Sequence, residues 1–387
     1  MNRDLLPHQI VLAVATGSIA GIITVLGELR DQFGFSEASI GVIVAAGFFA
    51  SFVAQAGFAR FADRGHGREM ATIGLAMSAV ALLVMVFAES VLVWSLSRAL
   101  LGFAGGLVIP GLRRAATVLD PENVGENLGR LLIGDITGFV LGPVIAAAFV
   151  VVGGLRAPFL AFAIASLLFL PFVLRLPQDE GAKDTTAGLP LDLLRIQRLQ
   201  GALILVFGYF VLIGAFEAVL PVMLEDRGAS TTFIGIAFTA FALPIIFIST
   251  SAGRLADRVG PPKVAVIGTS VTACIAIVFG TIGALWAIVA AMILAGFSDG
   301  YGYIAGQVTV SRAVPEARQA GALGLMGAAG VLGAGMSAFP AAWLYGRVGA
   351  AGSWQIIGAT ALGLILIGAI RMRGTVPASA PATASST

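Results

Sequence analysis

Polar residues interrupt this chain at intervals that leave apolar runs at 9–27, 37–58, 70–88, 91–112, 131–152, 157–176, 199–222, 232–252, 263–283, 285–308, 320–345 and 353–371. Each run is close to the ~20 residues a helix needs to cross a bilayer's hydrocarbon. A segment in lipid must satisfy its own backbone hydrogen bonds, so the runs predict helices and not strands. There are twelve, six on each side of the polar stretch "PQDEGAKDTTAGLPLDLLRIQR" at 177–198. The expected class is an all-α membrane protein: a six-helix bundle over 1–176, a linker at 177–198, a second bundle over 199–373, and a tail at 374–387 whose composition predicts disorder.

The halves repeat one another. "ARFADRGHG" at 59–67 returns as "GRLADRVG" at 253–260, an offset of 194 residues between Asp63 and Asp257. The same offset carries Gly34 onto Gly228, Ser36 onto Ser230, Gly41 onto Gly235 and Arg60 onto Arg254. It also carries Gly102-Phe103 onto Gly296-Phe297, Gly106 onto Gly300, and Pro121-Glu122 onto Pro315-Glu316. One offset held this long marks an internal duplication, so the two bundles are expected to be pseudo-symmetric.

Charge sets the orientation. Of 23 Lys and Arg, Arg30, Arg156, Arg227 and Arg347 fall in one set of loops and Arg98 falls inside a helix. The other eighteen (23 − 4 − 1) lie at the termini and in the alternate loops, which the positive-inside rule places in the cytoplasm with both chain ends. Trp94, Trp286, Trp343 and Trp354 are expected at the outer helix ends as an interfacial belt. The chain's 50 glycines fit close helix packing in lipid. The first helix is expected to be uncleaved, because no small-residue cleavage site precedes it. Charged residues make up 11% of the chain, too few for a water-soluble surface. The basic pI of about 9.0 reflects the loop bias and calls for no nucleic-acid partner. A single cysteine, Cys274, excludes a disulfide framework or thiolate metal cluster, and no cofactor is expected. Neither lysine sits in a phosphate-binding loop, so ATP hydrolysis is not expected to drive the protein, and it is not read as an enzyme.

"GRLADRVGPPK" after the eighth run, with its copy after the second, resembles the loop signature of the major facilitator superfamily. The first copy departs from it, with Ala59 for the leading Gly and one extra residue in "DRGHGR". "RALLGFAGG", containing Arg98, is similar to the family's fourth-helix motif. Gly129, Gly138, Gly142 and Pro143 in the fifth run resemble the antiporter motif of its drug:proton exporters, with Ala146-Ala147 where Gly-Gly is usual. The resemblance spans residues 5–373 and implies the major facilitator fold, alternating access, and a cytoplasmic gate formed by Asp63, Arg64, Arg68, Gly253, Arg254, Asp257 and Arg258. Carboxylates in these loops can accept from helix N-termini, whose partial positive charge favours them. Pro143 removes a backbone donor, so a kink in the fifth helix is expected.

Charges inside the membrane are costly and mark candidate sites. Arg98 lies nine residues past Glu89, roughly 13 Å deep, and Glu217 lies eight before Glu225, at roughly 12 Å. Asp135 is shallower, roughly 7 Å from the cytoplasmic boundary. Asp299 is thirteen residues from both Trp286 and Arg312, near mid-membrane, with Tyr303 and Gln307 one and two helical turns on as substrate-cavity candidates. Its duplicate position is Gly105, so the symmetry is broken where specificity would be placed. Asp299, Glu217, Asp135 and Arg98 are the proton-coupling candidates.

These features predict a secondary transporter in the cell inner (plasma) membrane, exporting small lipophilic or cationic compounds against protons. Its expected partners are a small-molecule substrate, protons and the bilayer, and it is expected to act as a monomer. The alternative is an exporter or importer of one metabolite, such as a sugar or amino acid, by symport or facilitated diffusion. A receptor or sensor would need a soluble output domain, and the longest polar segment is the 177–198 linker.

Overall fold

The protein, a computed structural model, is described over residues 6–119, 124–176, 190–315 and 318–373. Residues 177–189 of the linker, the 374–387 tail, and Pro121, Glu122 and Glu316 of the repeat lie outside the described residues. The first half contains α1 (Leu6–Thr24), α2 (Leu26–Phe33), α3 (Glu37–Phe61), α4 (Gly67–Phe87), α5 (Val91–Leu119), α6 (Val124–Gly153) and α7 (Ala157–Val173). The second contains α8 (Gln197–Asp226), α9 (Thr231–Ala242), α10 (Pro244–Val259), α11 (Pro261–Phe279), α12 (Leu285–Ser311) and α13 (Gln319–Met372).

Among the described residues, ten helices are long and apolar enough to cross a membrane, and α7, at 17 residues, is a shorter apolar one. The 54 residues of α13 would reach about 81 Å if straight. They do not, because Gly349 leaves helical geometry at φ 70 and ψ −175, making two spans. The total is the twelve expected. Twelve crossings return the chain to its starting face, here called proximal; the opposite face is distal.

The duplication is visible in backbone and packing. Gly34 and Gly228 both take left-handed φ, 66 and 82, which only glycine adopts without steric cost. Two residues later Ser36 and Ser230 accept from the backbone N–H groups of Ser39 and Phe233, opening the next helix in each half. Gly102 seats on the Gly47 carbonyl, where an added Cβ would lie 2.1 Å away, and Gly296 seats on the Phe241 carbonyl, at 2.0 Å. Both members of each pair are related by 194 residues. The proximal loops differ: the first carries a π-helical turn at Ala62–His66 with Gly65 at φ 90, and the second turns later, at Gly260, φ 105. This is the extra residue in the first motif expressed as geometry.

One expectation is corrected. Trp94 and Trp354 are fully buried, packed on Phe159 and on Phe216 and Phe279 respectively, so only Trp286 and Trp343 are exposed as an interfacial belt requires. α6 continues as helix through Pro143. Nearby carbonyls find partners on neighbouring helices, Thr24 Oγ1 donating to Pro143 O at 3.3 Å and Thr239 Oγ1 to Val140 O at 2.8 Å.

The halves meet on the distal side. Gly41 of α3 lies against Ala338, Phe339 and Ala342 of α13, and Gly235 of α9 lies against Pro143 and Ala147 of α6; a Cβ on either glycine would come within 2.8 Å of its neighbours. α9 and α10 are the distal and proximal parts of one span. α6 packs on α9 but makes almost no contact with α10, and among the described residues neither α5 nor α6 packs on α12. The halves therefore part toward the proximal face, leaving a cleft between α5–α6 and α10–α12.

Candidate functional site

The floor of the seam is an ion pair. Arg98 extends from α5 past Gly47, whose lack of a side chain makes room; a Cβ there would lie 3.0 Å from the Arg98 stem. Its Nη2 donates to Glu217 Oε2 of α8 at 3.0 Å, and Nη1 donates to the Ile19 carbonyl of α1 at 3.5 Å. The side chains are 4% and 11% exposed, so the pair joins the halves out of water. Equal depth from the distal helix ends was the sequence signal that they could meet. A cavity of about 30 Å³ adjoins Glu217, lined by Ile23, Phe139, Pro143, Phe216 and Phe241 among others. That is enough for about one water.

Beyond this floor the distal mouth is shut by polar contacts between halves. Arg30 Nη2 of α2 donates to Asp226 Oδ1 at the end of α8 at 2.6 Å, and Thr231 Oγ1 of α9 donates to Glu28 Oε2 at 2.7 Å. Within the second half, Tyr345 of α13 donates to Asp226 Oδ2 at 2.5 Å and steadies that carboxylate for Arg30. Burial disfavours the Arg30 charge, but hydrogen bonds to Asp226 and Asp31 outweigh it and hold the guanidinium above its usual range. In the sequence Arg30 counts only as one of four basic residues in one set of loops, and Glu28 and Asp226 carry no signal, since loop charges show no sign of partners about 200 residues away.

On the proximal side of the floor, α12 presents Asp299, half-buried, with Oδ1 enclosed and without a hydrogen-bond partner. Tyr209 of α8 interacts electrostatically with its carboxylate. The Tyr209 ring stands 6.0 Å from that of Tyr303 and 5.1 Å from that of Phe210, and Phe210 is 6.2 Å from Tyr303. Gln307 is exposed and interacts with Tyr303 one helical turn before it. Arg113 and Asp135, from the other half, act electrostatically on Tyr303 across the cleft. Asp135 accepts from Thr16 Oγ1 at 2.6 Å, tying α6 to α1. Tyr209 and Phe210 were not singled out in the sequence, where they are two aromatics in an apolar run.

The remaining motif residues are structural neighbours of this site. Gly138 and Gly142 seat α6 on α1, with a Cβ at Gly138 placed 2.3 Å from the Ala13 carbonyl. Asp257 Oδ1 accepts from Arg312 Nη2 at 2.7 Å within its own half, and Arg258 and Arg254 are exposed. Gly253 lies on the same helix, α10. Arg64 lies over the Phe61 ring at 5.9 Å, and Arg68 opens α4; the Asp63 side chain lies outside the described residues.

Comparison with known proteins agrees with this architecture. The model of the Major Facilitator Superfamily matches residues 10–230 and 202–386. Multidrug resistance protein MdtG of Enterobacter lignolyticus (strain SCF1) is 26% identical over 277 residues, covering 67% of this chain and 65% of that protein. MdtG of Salmonella choleraesuis (strain SC-B67) is 24% identical over 277 residues, covering 67% of each. The match thus spans about two thirds of these relatives' length. Among solved structures, the D-xylose-proton symporter superposes with a TM-score of 0.74 at 18% identity, covering 97% of both chains. Nucleoside transporter NupG gives 0.74 at 16% identity, covering 97% of this chain and 100% of that one. Likeness at such identity describes the fold.

Proposed function

The chain belongs to the major facilitator superfamily, a multi-pass membrane transporter and not an enzyme, and on that premise we propose that it exports small lipophilic or cationic compounds in exchange for protons. The reading takes the distal face as external, in line with the loop charges, and the proximal cleft as the cytoplasmic entrance. The observation that carries it is Asp299, a carboxylate near mid-membrane with one unpartnered enclosed oxygen beside the Tyr209, Phe210 and Tyr303 rings. An aromatic wall with one negative charge suits an organic cation, through ring faces and a direct ion pair. A proton and such a cation compete for the same oxygen.

In this scheme substrate enters from the cleft and displaces the proton from Asp299. The distal seam then opens, and external water reloads Asp299 as substrate leaves. Opening must separate Arg98 from Glu217, so Glu217 is placed to sense the same transition. Asp135 and Arg113 line the cytoplasmic side and set its field. Asp63 and Asp257, with Arg64, Arg68, Arg254 and Arg258, form the gate that closes the cytoplasmic side in the opposite state. One proton moving inward across ~100 mV supplies about 2.3 kcal/mol, enough for roughly a 50-fold gradient of a neutral substrate. Exchanged for a monocation it moves no net charge, and the drive is then the pH difference alone, about tenfold per pH unit.

The test is flux in liposomes with a lipophilic monocation as probe and an entrapped pH dye. Asp299→Asn is expected to abolish accumulation driven by an imposed pH difference while sparing exchange down the probe's own gradient. Proton coupling of wild-type strength in that variant would rule out Asp299 as carrier and return the search to Glu217 and Asp135. The relatives' name, multidrug resistance protein, favours the same substrate class.

A further inference from the structure

The distal mouth holds a carboxylate that the cycle above does not use. Glu225 lies in the last turn of α8, past residue 222 where the seventh apolar run ends. The 30 residues of α8 extend about 45 Å, well beyond the ~30 Å of hydrocarbon. Its neighbour Asp226 is exposed. This turn therefore stands in the headgroup and water region.

Glu225 is pressed onto the other half of the protein. A Cβ on Gly27, at the start of α2, would lie 1.8 Å from Glu225 Oε2 and 3.1 Å from Glu225 Cβ. Oε2 is enclosed there with no hydrogen-bond partner. Of the charged groups around it, Arg30 favours an anion and three carboxylates oppose it. α2 supplies Glu28 and Asp31, and α8 itself supplies Asp226. From α3, Glu37 lies 3.9 Å from Arg30. Arg30 is occupied by Asp226 at 2.6 Å and Asp31 at 2.7 Å. Arg227 turns away, donating to the Gly280 and Ile282 carbonyls. Tyr345, from α13, donates to Asp226.

We propose that closure of the distal mouth captures a proton on Glu225, so that the mouth is latched by protonation from its own side. With the mouth open, Glu225 is hydrated and ionised. Closing presses it onto Gly27 between Glu28 and Asp31, where Oε2 loses its water and gains no donor. Binding one proton from the external water forms the O–H bond of the neutral acid and removes both the desolvation and the repulsion. On reopening, that proton returns to the same external water. The latch carries no charge across the membrane; it makes the closed state more stable as external pH falls. Orientation rests on the proposed function, whereas the proton linkage does not.

The test is pulsed electron resonance on spin labels at Glu89→Cys and Thr281→Cys, exposed distal sites on opposite halves, in a Cys274→Ala background. In wild type, the closed-to-open ratio is expected to rise with falling pH between roughly 8.5 and 5.5, by at most about tenfold per unit for one proton. Carboxylates with ordinary values near ~4 stay ionised through that window. Glu225→Gln, a mimic of the neutral acid, is expected to stay closed at every pH, and Glu225→Asp to keep a pH response. Asp299→Asn is expected to keep it too, which separates the latch from transport coupling. A pH response of wild-type size in Glu225→Gln, or none in wild type, overturns the proposal.

Discussion

Replacing Glu217 with Gln should loosen the seam by an amount the geometry sets. The pair is 3.0 Å long and nearly dry. At an effective dielectric of about 20 its gross attraction is roughly 5–6 kcal/mol, against which the loss of solvation on both ions must be set. Gln keeps the shape and an acceptor, so the expected net loss is that of a charged hydrogen bond, about 2–3 kcal/mol. Arg98 would then hold the Ile19 carbonyl and a neutral amide oxygen in place of a carboxylate, with its Nε already buried and unpartnered. The open state lacks the pair and is little affected, so the closed-to-open ratio should fall roughly 30- to 150-fold. A ratio of roughly 100:1 would drop to between about 3:1 and 1:1, a shift visible as a second, longer distance between the Glu89 and Thr281 labels. Arg98→Gln should act in the same direction. Distance distributions like wild type in both variants would refute the view that this pair holds the halves together.

Two further outcomes are expected. Asp257→Asn should lower transport while substrate binding persists, because an amide interacts less with helix-end charge than a carboxylate; unchanged turnover in the Asp63→Asn/Asp257→Asn double variant would reduce both motifs to topological signals. A reporter fused after Arg258 should read cytoplasmic and one at Arg347 external, and the reverse would invert the assigned orientation.

Much of this architecture was legible because lipid imposes it. Run length alone marked the spans, and the 194-residue offset foretold that Gly102 and Gly296 would do the same work. Depth counting placed Arg98 and Glu217 at one level, although only the fold shows them joined. What stayed hidden depends on pairing across the halves. Arg30, Asp226 and Glu28 read as ordinary loop charges, and Tyr209 as one aromatic in an apolar stretch. Trp94 and Trp354 misled for a related reason: position near a helix end does not say which way an indole points, and both turn into the core. Gly138 and Gly142, which the sequence places in the antiporter motif, make the contacts of helix packing on α1.

The two glycine contacts at the distal seam have a consequence for how the face is built. Gly41 meets Ala338 and Ala342; Gly235 meets Pro143 and Ala147. Subtracting 195 from 338 and 342 returns 143 and 147, while 41 and 235 differ by 194. Surface i of one half meets surface j of the other, and j meets i, to within one residue. That is the signature of an isologous interface, the kind formed by two identical subunits about a twofold axis. The chain closes its distal face as a homodimer would, with both subunits covalently its own. Arg98 and Glu217 stand outside that rule, since their duplicate positions are Met292 and Ile23. The symmetric contacts supply the shape of the joint, and the unsymmetric charges are free to give it a direction.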